Sequence, residues 1–102
     1  MIFVVATIEL QPGTRDAFLD EFRKLVPLVH EEAGCIEYGP AIDYETNLDA
    51  QGGVRPDVVV VMEKWESIEA LEAHLIAPHM IDYRGRVKAM VVGTKLQVLQ
   101  PA

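Results

Sequence analysis

The sequence is short of cysteine and of basic residues, and both shortages restrict what the protein can do. Its single cysteine, Cys35, has no partner for an internal disulfide, as is typical of a chain in a reducing compartment. Lysine and arginine total 9 against 16 acidic residues, so the formal net charge is −7. That charge repels phosphate backbones and anionic lipid surfaces. We therefore expect neither nucleic acid nor a membrane as a partner.

Long hydrophobic runs are also missing. The apolar run over residues 58–62 is far shorter than the roughly 20 residues that a membrane-spanning helix needs. The N-terminus shows no basic region followed by a cleavage site, so we expect a cytoplasmic protein. Hydrophobic residues make up 50% and charged residues 25% of the 102 residues, which is ordinary globular composition. A chain of this length holds one core, so we predict a single domain over residues 1–102.

Alternation and helical periodicity predict the elements of the first half of the chain. Residues 2–10 alternate between apolar and mixed side chains, which predicts a central strand. Apolar residues then recur at helical spacing up to Ala33, and Gly34 stands where a helix commonly ends. Pro27 predicts a bend in this helix, or a break into two. Residues 35–44 form a second predicted strand, in which Gly39-Pro40 favours an edge position or a bulge.

The second half begins with the polar segment 45–57, which is open to two interpretations, a mobile loop or a cover for a site. The apolar run over 58–62 predicts a central strand buried on both faces. Ser67 is predicted to cap a short helix that Pro78 stops or redirects, followed by a second helical segment to about residue 91. A last strand is predicted over 94–100. This order predicts a ferredoxin-like α+β fold with a four-stranded antiparallel sheet.

One face of that sheet has no cover in the predicted fold. Both long helices pack on the same side, yet Phe3 and Val5 point to the other side and the third strand is apolar on both. The simplest cover is a second copy of the sheet, so we predict a symmetric homodimer. The alternative is that the 45–57 loop or the C-terminal residues fold over this face.

Five side chains at strand ends and on the second helix are candidates for chemistry: Tyr38, Glu63, Trp65, His74 and His79. Trp65 is either a core tryptophan with its N–H bonded, or the wall of an aromatic-binding pocket with an indole donor aimed at the ligand. Tyr38 has the same two interpretations. Glu63 is either a rim salt bridge, with Lys64 or Arg86, or a carboxyl group held beside a pocket.

The histidines differ in their predicted surroundings. His74 follows Leu71 by three residues, so its ring should border the buried stripe of the second helix. It is either a structural histidine or a neutral imidazole that accepts a phenolic proton near pH 7. The five-residue separation of His74 and His79 does not suit two ligands on one helical face, so no metal site is expected. His30 lies on the polar side of the first helix and receives no role.

Taken together, the Gly34-Cys35 step with Tyr38 after it, the Glu63-x-Trp65 strand end, and the Leu71-x-x-His74 then Pro78-His79 helix resemble the antibiotic biosynthesis monooxygenase family. The resemblance spans nearly the whole chain and rests on order and spacing. It implies a dimeric α+β barrel that oxidises quinols or phenols with dioxygen, without flavin, metal or any other cofactor. It also implies that Trp65 and Tyr38 hold the aromatic ring and that His74 takes the proton.

The same resemblance assigns supporting roles and leaves two rivals. His79 and Glu63 would orient or polarise the substrate, and Thr7 would lie in the substrate site. The haem-degrading branch of the superfamily carries an asparagine and a tryptophan where this sequence has Thr7 and His74, which argues against haem, although His79 could act as an axial ligand. A dimeric protein that senses a small hydrophobic compound without catalysis is the alternative from another class.

Overall fold

Four strands and three helices follow one another along the chain. The computed structural model describes all residues, Met1–Ala102. The elements are β1 (Ile2–Leu10), α1 (Arg15–His30), β2 (Cys35–Ala41), β3 (Val58–Trp65), α2 (Ile68–Leu75), α3 (Pro78–Val87) and β4 (Val91–Leu99). The strands form one antiparallel sheet in the order β2-β3-β1-β4. This is the predicted ferredoxin-like α+β fold, with β1 and β3 at the centre.

The helix-covered face of the sheet holds the core. Alternate residues of β1, among them Val4, Ala6 and Ile8, are buried beneath the helices. Because directly opposed residues of paired strands point to the same side, Glu63 opposite Val4 also lies on this face. Trp65, two residues further, joins them. The strand periodicity thus brings polar and aromatic side chains of β3 into the core.

Helix α1 buries Phe18, Phe22, Leu25 and Val29 and runs without interruption from Arg15 to His30. Pro27 lies inside this single helix, so the alternative of a break into two helices is wrong. The helix ends three residues before the predicted end at 33, and residues 31–34 form a turn.

Gly34 closes this turn with a left-handed backbone, φ +82°, that favours glycine. A Cβ atom on Gly34 would lie 2.6 Å from Cβ of Ala70, so the turn packs directly against α2. The backbone N–H of Glu66 donates to the Gly34 carbonyl at 2.8 Å and fastens the turn to the end of β3. The close approach brings the side chains of residues 31–34 beside helix α2.

The C-terminal elements confirm part of the prediction. The Ser67 side chain accepts a hydrogen bond from the backbone N–H of Ala70 at 3.2 Å and caps α2 as predicted. Pro78 is the first residue of α3, where its missing N–H does no harm. The prediction that the last helical segment reaches about residue 91 is wrong: α3 stops at Val87, and β4 begins at Val91, with Gly93 paired with Glu9 of β1.

Strand β2 lies at the sheet edge, one of the two positions that Gly39-Pro40 favours. Its irregular register falls between Cys35 and Glu37 rather than at Gly39-Pro40, and the strand ends at Ala41 instead of 44. The following loop is tied by a bidentate ion pair in which the Arg55 guanidinium contacts Asp43 at 2.8 Å. This pairing lowers the pKa of Asp43 to about 2.

The second face of the sheet is open, as the sequence predicts. Phe3, Val5 and Val60 are half-buried, while 49% of Met62 and 44% of Leu99 are exposed. Neither the loop nor the C-terminal residues bury these side chains. The expectation that β3 is buried on both faces is therefore wrong within one chain, because only its helix side is covered.

The three helices are short. The longest, α1, has 16 residues and carries charged side chains along its outer face. None of the three has the length and apolar composition required to cross a lipid bilayer.

Candidate active site

A largely apolar cavity of about 430 Å³ lies between the helix-covered face of the sheet and helices α2 and α3. This volume is within the range of small-molecule sites. Aliphatic and aromatic side chains from β1, α1, β3, α3 and β4 form most of its wall. The polar lining residues are Glu63, His74, Arg84, Lys88 and Thr94. The arrangement suits a flat, mostly apolar ligand that meets a few polar groups.

His74 contributes the only imidazole of the cavity wall, and just 1% of the residue is exposed. Its Nδ1 lies 2.9 Å from Oε2 of Glu32. Because a carboxylate only accepts, this contact assigns the proton to Nδ1 and leaves the Nε2 lone pair free in the neutral ring. Burial lowers the pKa of His74, against the opposing effect of Glu32. The imidazole is therefore a neutral, oriented proton acceptor.

Glu32 joins two histidines through one oxygen atom. Its Oε2 accepts from Nδ1 of His74 and from Nε2 of His79 at 2.7 Å. Glu32 lies in the turn that Gly34 packs against α2, whereas His79 lies at the start of α3. The carboxylate thus links the α1–β2 turn to both helices. Glu32 is not predictable from the sequence, since its two partners are 42 and 47 residues away and no local pattern connects them.

His79 does not line the cavity. Its Nε2 is engaged by Glu32, so His79 contacts the site only through this carboxylate, and its predicted substrate-binding role stays a prediction. The same hydrogen bond occupies the nitrogen that an axial haem ligand would use. No group of three His, Cys, Asp or Glu side chains is arranged to hold a metal ion.

Glu63 and Trp65 form a buried pair on β3. The Trp65 indole N–H donates to Oε1 of Glu63 at 2.9 Å, and both residues are almost inaccessible. Burial raises the pKa of Glu63 to about 7, although the indole donor opposes the change. Glu63 lines the cavity, so a carboxyl group able to gain or lose a proton near neutral pH forms part of its wall. Its predicted alternative as a rim salt bridge is wrong.

Trp65 itself is not part of the cavity wall. Its ring packs 4.7 Å from that of His74 at an interplanar angle of 38°, and its N–H is committed to Glu63. The interpretation as a core tryptophan with a bonded N–H fits this placement. The interpretation as a ligand-facing wall does not, because Trp65 is fully buried and its indole N–H is bonded to Glu63 rather than free for a ligand.

Tyr38 lines the cavity from β2. Its ring stacks on Phe22, with centroids 5.5 Å apart, and meets His74 edge-on at 5.2 Å. Burial raises the pKa of Tyr38, so the phenol stays protonated and can donate a hydrogen bond. Tyr83 of α3 provides a second buried phenol in the cavity wall, and burial raises its pKa too. Its position in the sequence carries no motif that would predict this role.

Thr7 lies on the wrong face of the sheet for the substrate site. It pairs with Val60 and Lys95 on the open face, whereas its neighbours Ala6 and Ile8 line the cavity. Successive side chains of a strand point to opposite faces, so Thr7 cannot reach a cavity that Ala6 and Ile8 line. The loop between β2 and β3 also contributes no lining residue, so it does not cover this cavity.

Comparison with known proteins places the chain in a family. A sequence model of the family described as antibiotic biosynthesis monooxygenase matches residues 1–86. The chain is 44% identical over 103 aligned residues to the Escherichia coli K12 protein named "Probable quinol monooxygenase YgiN", covering 99% of this chain and 98% of that protein. The family model thus covers the cavity-lining residues from β1 to Arg84 of α3, and the match to the Escherichia coli protein covers the whole fold.

Solved structures agree with this assignment. A Pseudomonas aeruginosa protein, PA3566, superposes with a TM-score of 0.80 at 26% identity, over 99% of this chain and 93% of that one. A conserved protein from Methanosarcina mazei superposes with a TM-score of 0.83 at 20% identity, over 99% and 92%. Sequence match, curated relative and shared fold agree, and the chain belongs to the antibiotic biosynthesis monooxygenase family.

Proposed function

We propose that this protein is a cofactor-independent monooxygenase that oxidises a small aromatic quinol or phenol with dioxygen. The observation that carries the proposal is His74, a buried neutral imidazole in the wall of an apolar cavity whose Nδ1 is held by Glu32. Its Nε2 lone pair is available to a ligand hydroxyl. The family assignment and the name of the Escherichia coli relative support the same reaction class.

The reaction needs no external reductant because the substrate supplies the electrons. His74 takes the proton of a ring hydroxyl, and the electron-rich anion adds dioxygen at the neighbouring ring carbon. The resulting hydroperoxide loses water by breaking its O–O bond, while the ring carbon loses its hydrogen as a proton. A new carbonyl forms, so that one oxygen atom enters the quinone product and the other leaves as water. The protein has to bind, orient and move protons.

Each side chain of the site has a role in this scheme. Glu32 stabilises the imidazolium that forms on His74. Glu63, with its pKa near neutral, is suited to return a proton to the departing oxygen. Tyr38 contributes a ring surface and a phenolic donor to the bound aromatic. Trp65 fixes Glu63 through its indole N–H, and His79 fixes Glu32.

Oxygen uptake tests the proposed reaction. Purified protein is expected to consume dioxygen with 1,4-dihydroxynaphthalene faster than the autoxidation measured with heat-inactivated protein. Dialysis against a chelator is expected to leave the rate unchanged, since no step uses a metal. If no quinol or phenol accelerates uptake while such ligands still raise Tm, the protein is a binding module instead.

We also propose that the chain works as a homodimer through the open sheet face. Phe3, Val5, Val60 and Met62 form an apolar patch there that water meets in the single chain. Burial of about 800 Å² per partner, the size of a standard interface, would cover it. Strand β4 is exposed along most of its length although Thr94 and Leu96 line the cavity, so a partner near β4 would also help enclose the site.

Light scattering after size exclusion is expected to return twice the chain mass of 11.4 kDa at micromolar concentration. Met62→Asp places a charge in the patch and is expected to yield monomer. Ile81→Asp is the matched control, because Ile81 is exposed on α3, away from the open face. A monomeric wild-type protein would remove the dimer from the proposal and leave the chemistry of the cavity unaffected.

A further inference from the structure

Two positively charged residues line the cavity on one side. Arg84 belongs to α3 and Lys88 is its C-terminal cap residue, four positions later, so their side chains project from the same face of the helix. Both residues are exposed. A cavity with a mostly apolar wall thus has a cationic edge, which proton transfer to His74 does not require.

Neither charge is used for an ion pair within the chain. The paired cations are Arg23, Lys24, Arg55, Lys64 and Arg86. Arg84 instead donates from Nη2 to the backbone carbonyl of Leu75 at 2.6 Å, which fixes the guanidinium at the C-terminal end of α2 and leaves its other donors free. Lys88 has no salt bridge at all, in a chain whose net charge is −7.

The charge of Arg84 also acts on His74, the proposed proton acceptor. Its charge is one of the smaller causes that lower the pKa of His74, behind burial of the ring. Arg84 and His74 line the same cavity, so one aromatic ligand in it can contact both. Thr94 of β4, another lining residue, adds a hydroxyl group to the polar part of the wall.

We propose that the substrate is a quinol or phenol whose aromatic ring carries an anionic group, such as a carboxylate, and that this group binds Arg84 and Lys88 at the edge of the cavity. The inference rests on the proposed function and narrows its substrate class. Guanidinium groups bind carboxylates through paired N–H donors, and the lysine adds a point charge. Because the cations are exposed, the anion stays partly hydrated and avoids the full desolvation penalty of a buried pair.

The negative charge of the rest of the molecule confines anion binding to this cationic edge. A net charge of −7 disfavours the approach of an anion to most of the surface, so two unpaired cations at the cavity create the local exception. A neutral quinol gains nothing from them. The structure therefore predicts discrimination by charge in addition to shape.

Anaerobic isothermal titration calorimetry tests the inference without turnover. 1,4-Dihydroxynaphthalene and its 2-carboxylate are matched in ring size and differ in charge. The carboxylate is expected to bind about tenfold more tightly, an effect appropriate to two exposed ion pairs. The preference is expected to shrink when salt is raised from 0.05 to roughly 0.5 M, because exposed charges are screened.

Variants assign the preference to the two residues. Arg84→Gln combined with Lys88→Gln is expected to abolish it, while Lys88→Arg retains it. Arg23→Gln combined with Lys24→Gln is the matched control, since both residues are exposed on α1, outside the cavity, and their loss lowers the total charge by the same two units. Equal affinities of wild-type protein for the two compounds would overturn the inference, as would an equal effect of the control variant.

The two proposals fail in different ways. If the carboxylate binds more tightly but neither compound is oxidised, the charge preference stands and the monooxygenase proposal fails. If both compounds bind and are oxidised equally well, the monooxygenase proposal stands and the anionic substrate class is wrong.

Discussion

Replacing His74 by asparagine is expected to lower kcat for quinol oxidation by roughly 10²- to 10⁴-fold, the contribution that a positioned general base makes. The asparagine amide keeps an N–H donor near the position of Nδ1 for Glu32, but it offers no nitrogen lone pair that takes a proton at neutral pH. Substrate ionisation then depends on water. Oxygen uptake at saturating quinol, corrected for autoxidation, measures the change.

Two further variants distinguish a base from a packing residue. Glu32→Gln keeps a hydrogen-bond acceptor for His74 and removes the charge that stabilises its imidazolium. Its activity loss is expected to be smaller, and the acid limb of the kcat/KM profile should move to lower pH because the pKa of His74 falls. His30→Gln is the control, since His30 bonds only the Tyr38 carbonyl at 2.8 Å and lies outside the cavity.

A folded His74→Asn protein that keeps more than a tenth of wild-type activity would contradict the assignment of the base. Folding is checked by thermal unfolding, since His74 packs against Trp65 in the core. In that case Glu63 would be the remaining cavity group able to accept a proton near neutral pH.

Periodicity predicted the elements well because it reports burial directly. The alternation of β1 assigned Val4 and Ala6 to the helix side, and the helical spacing from Leu71 placed the His74 ring beside the buried stripe, where the structure has it. The same alternation puts Thr7 on the open face with Phe3 and Val5, where the structure has it. Its place in the substrate site came from the family resemblance alone, which gives no information on the direction of a side chain in this strand.

Contacts between elements that are distant along the chain could not be predicted from the sequence. Glu32 reaches His74 and His79 only because the Gly34 turn packs on Ala70 of α2. In the sequence, Glu31-Glu32 looks like the solvated end of a helix, so no local pattern marks Glu32 as the partner of two histidines. Trp65 was left with two interpretations because strand periodicity gives the side of the sheet but not the depth at which a cavity begins.

Replacing Glu63 by glutamine is expected to raise the free energy of unfolding by up to about 3 kcal/mol at pH 8. The pKa of Glu63 is raised to about 7 from an ordinary value of 4.5, and each unit corresponds to roughly 1.4 kcal/mol. Burial is the main cause, so the ionised form strains the native state. Glutamine still accepts from the Trp65 indole but carries no charge to bury. Tm should rise by roughly 10 °C.

The sign of the pH dependence follows from proton binding. Between pH 4.5 and about 7 the native state holds a proton on Glu63 that the unfolded state has lost, so this carboxyl lowers stability progressively as pH rises through that window. Below pH 4.5 both states are protonated and the effect vanishes. Denaturant unfolding measures this effect. The free energies of unfolding of Glu63→Gln and wild-type protein should differ little at pH 4 and much more at pH 8.

Glu72→Gln provides the comparison, because Glu72 is an exposed glutamate of α2 and its replacement should change stability little at either pH. An equal gain from Glu63→Gln at pH 4 and pH 8 would contradict the raised pKa. The stabilised variant is also expected to turn over more slowly, since glutamine cannot return a proton to the departing oxygen. A destabilising carboxyl group kept in an apolar wall is typical of a residue that exchanges protons with a ligand.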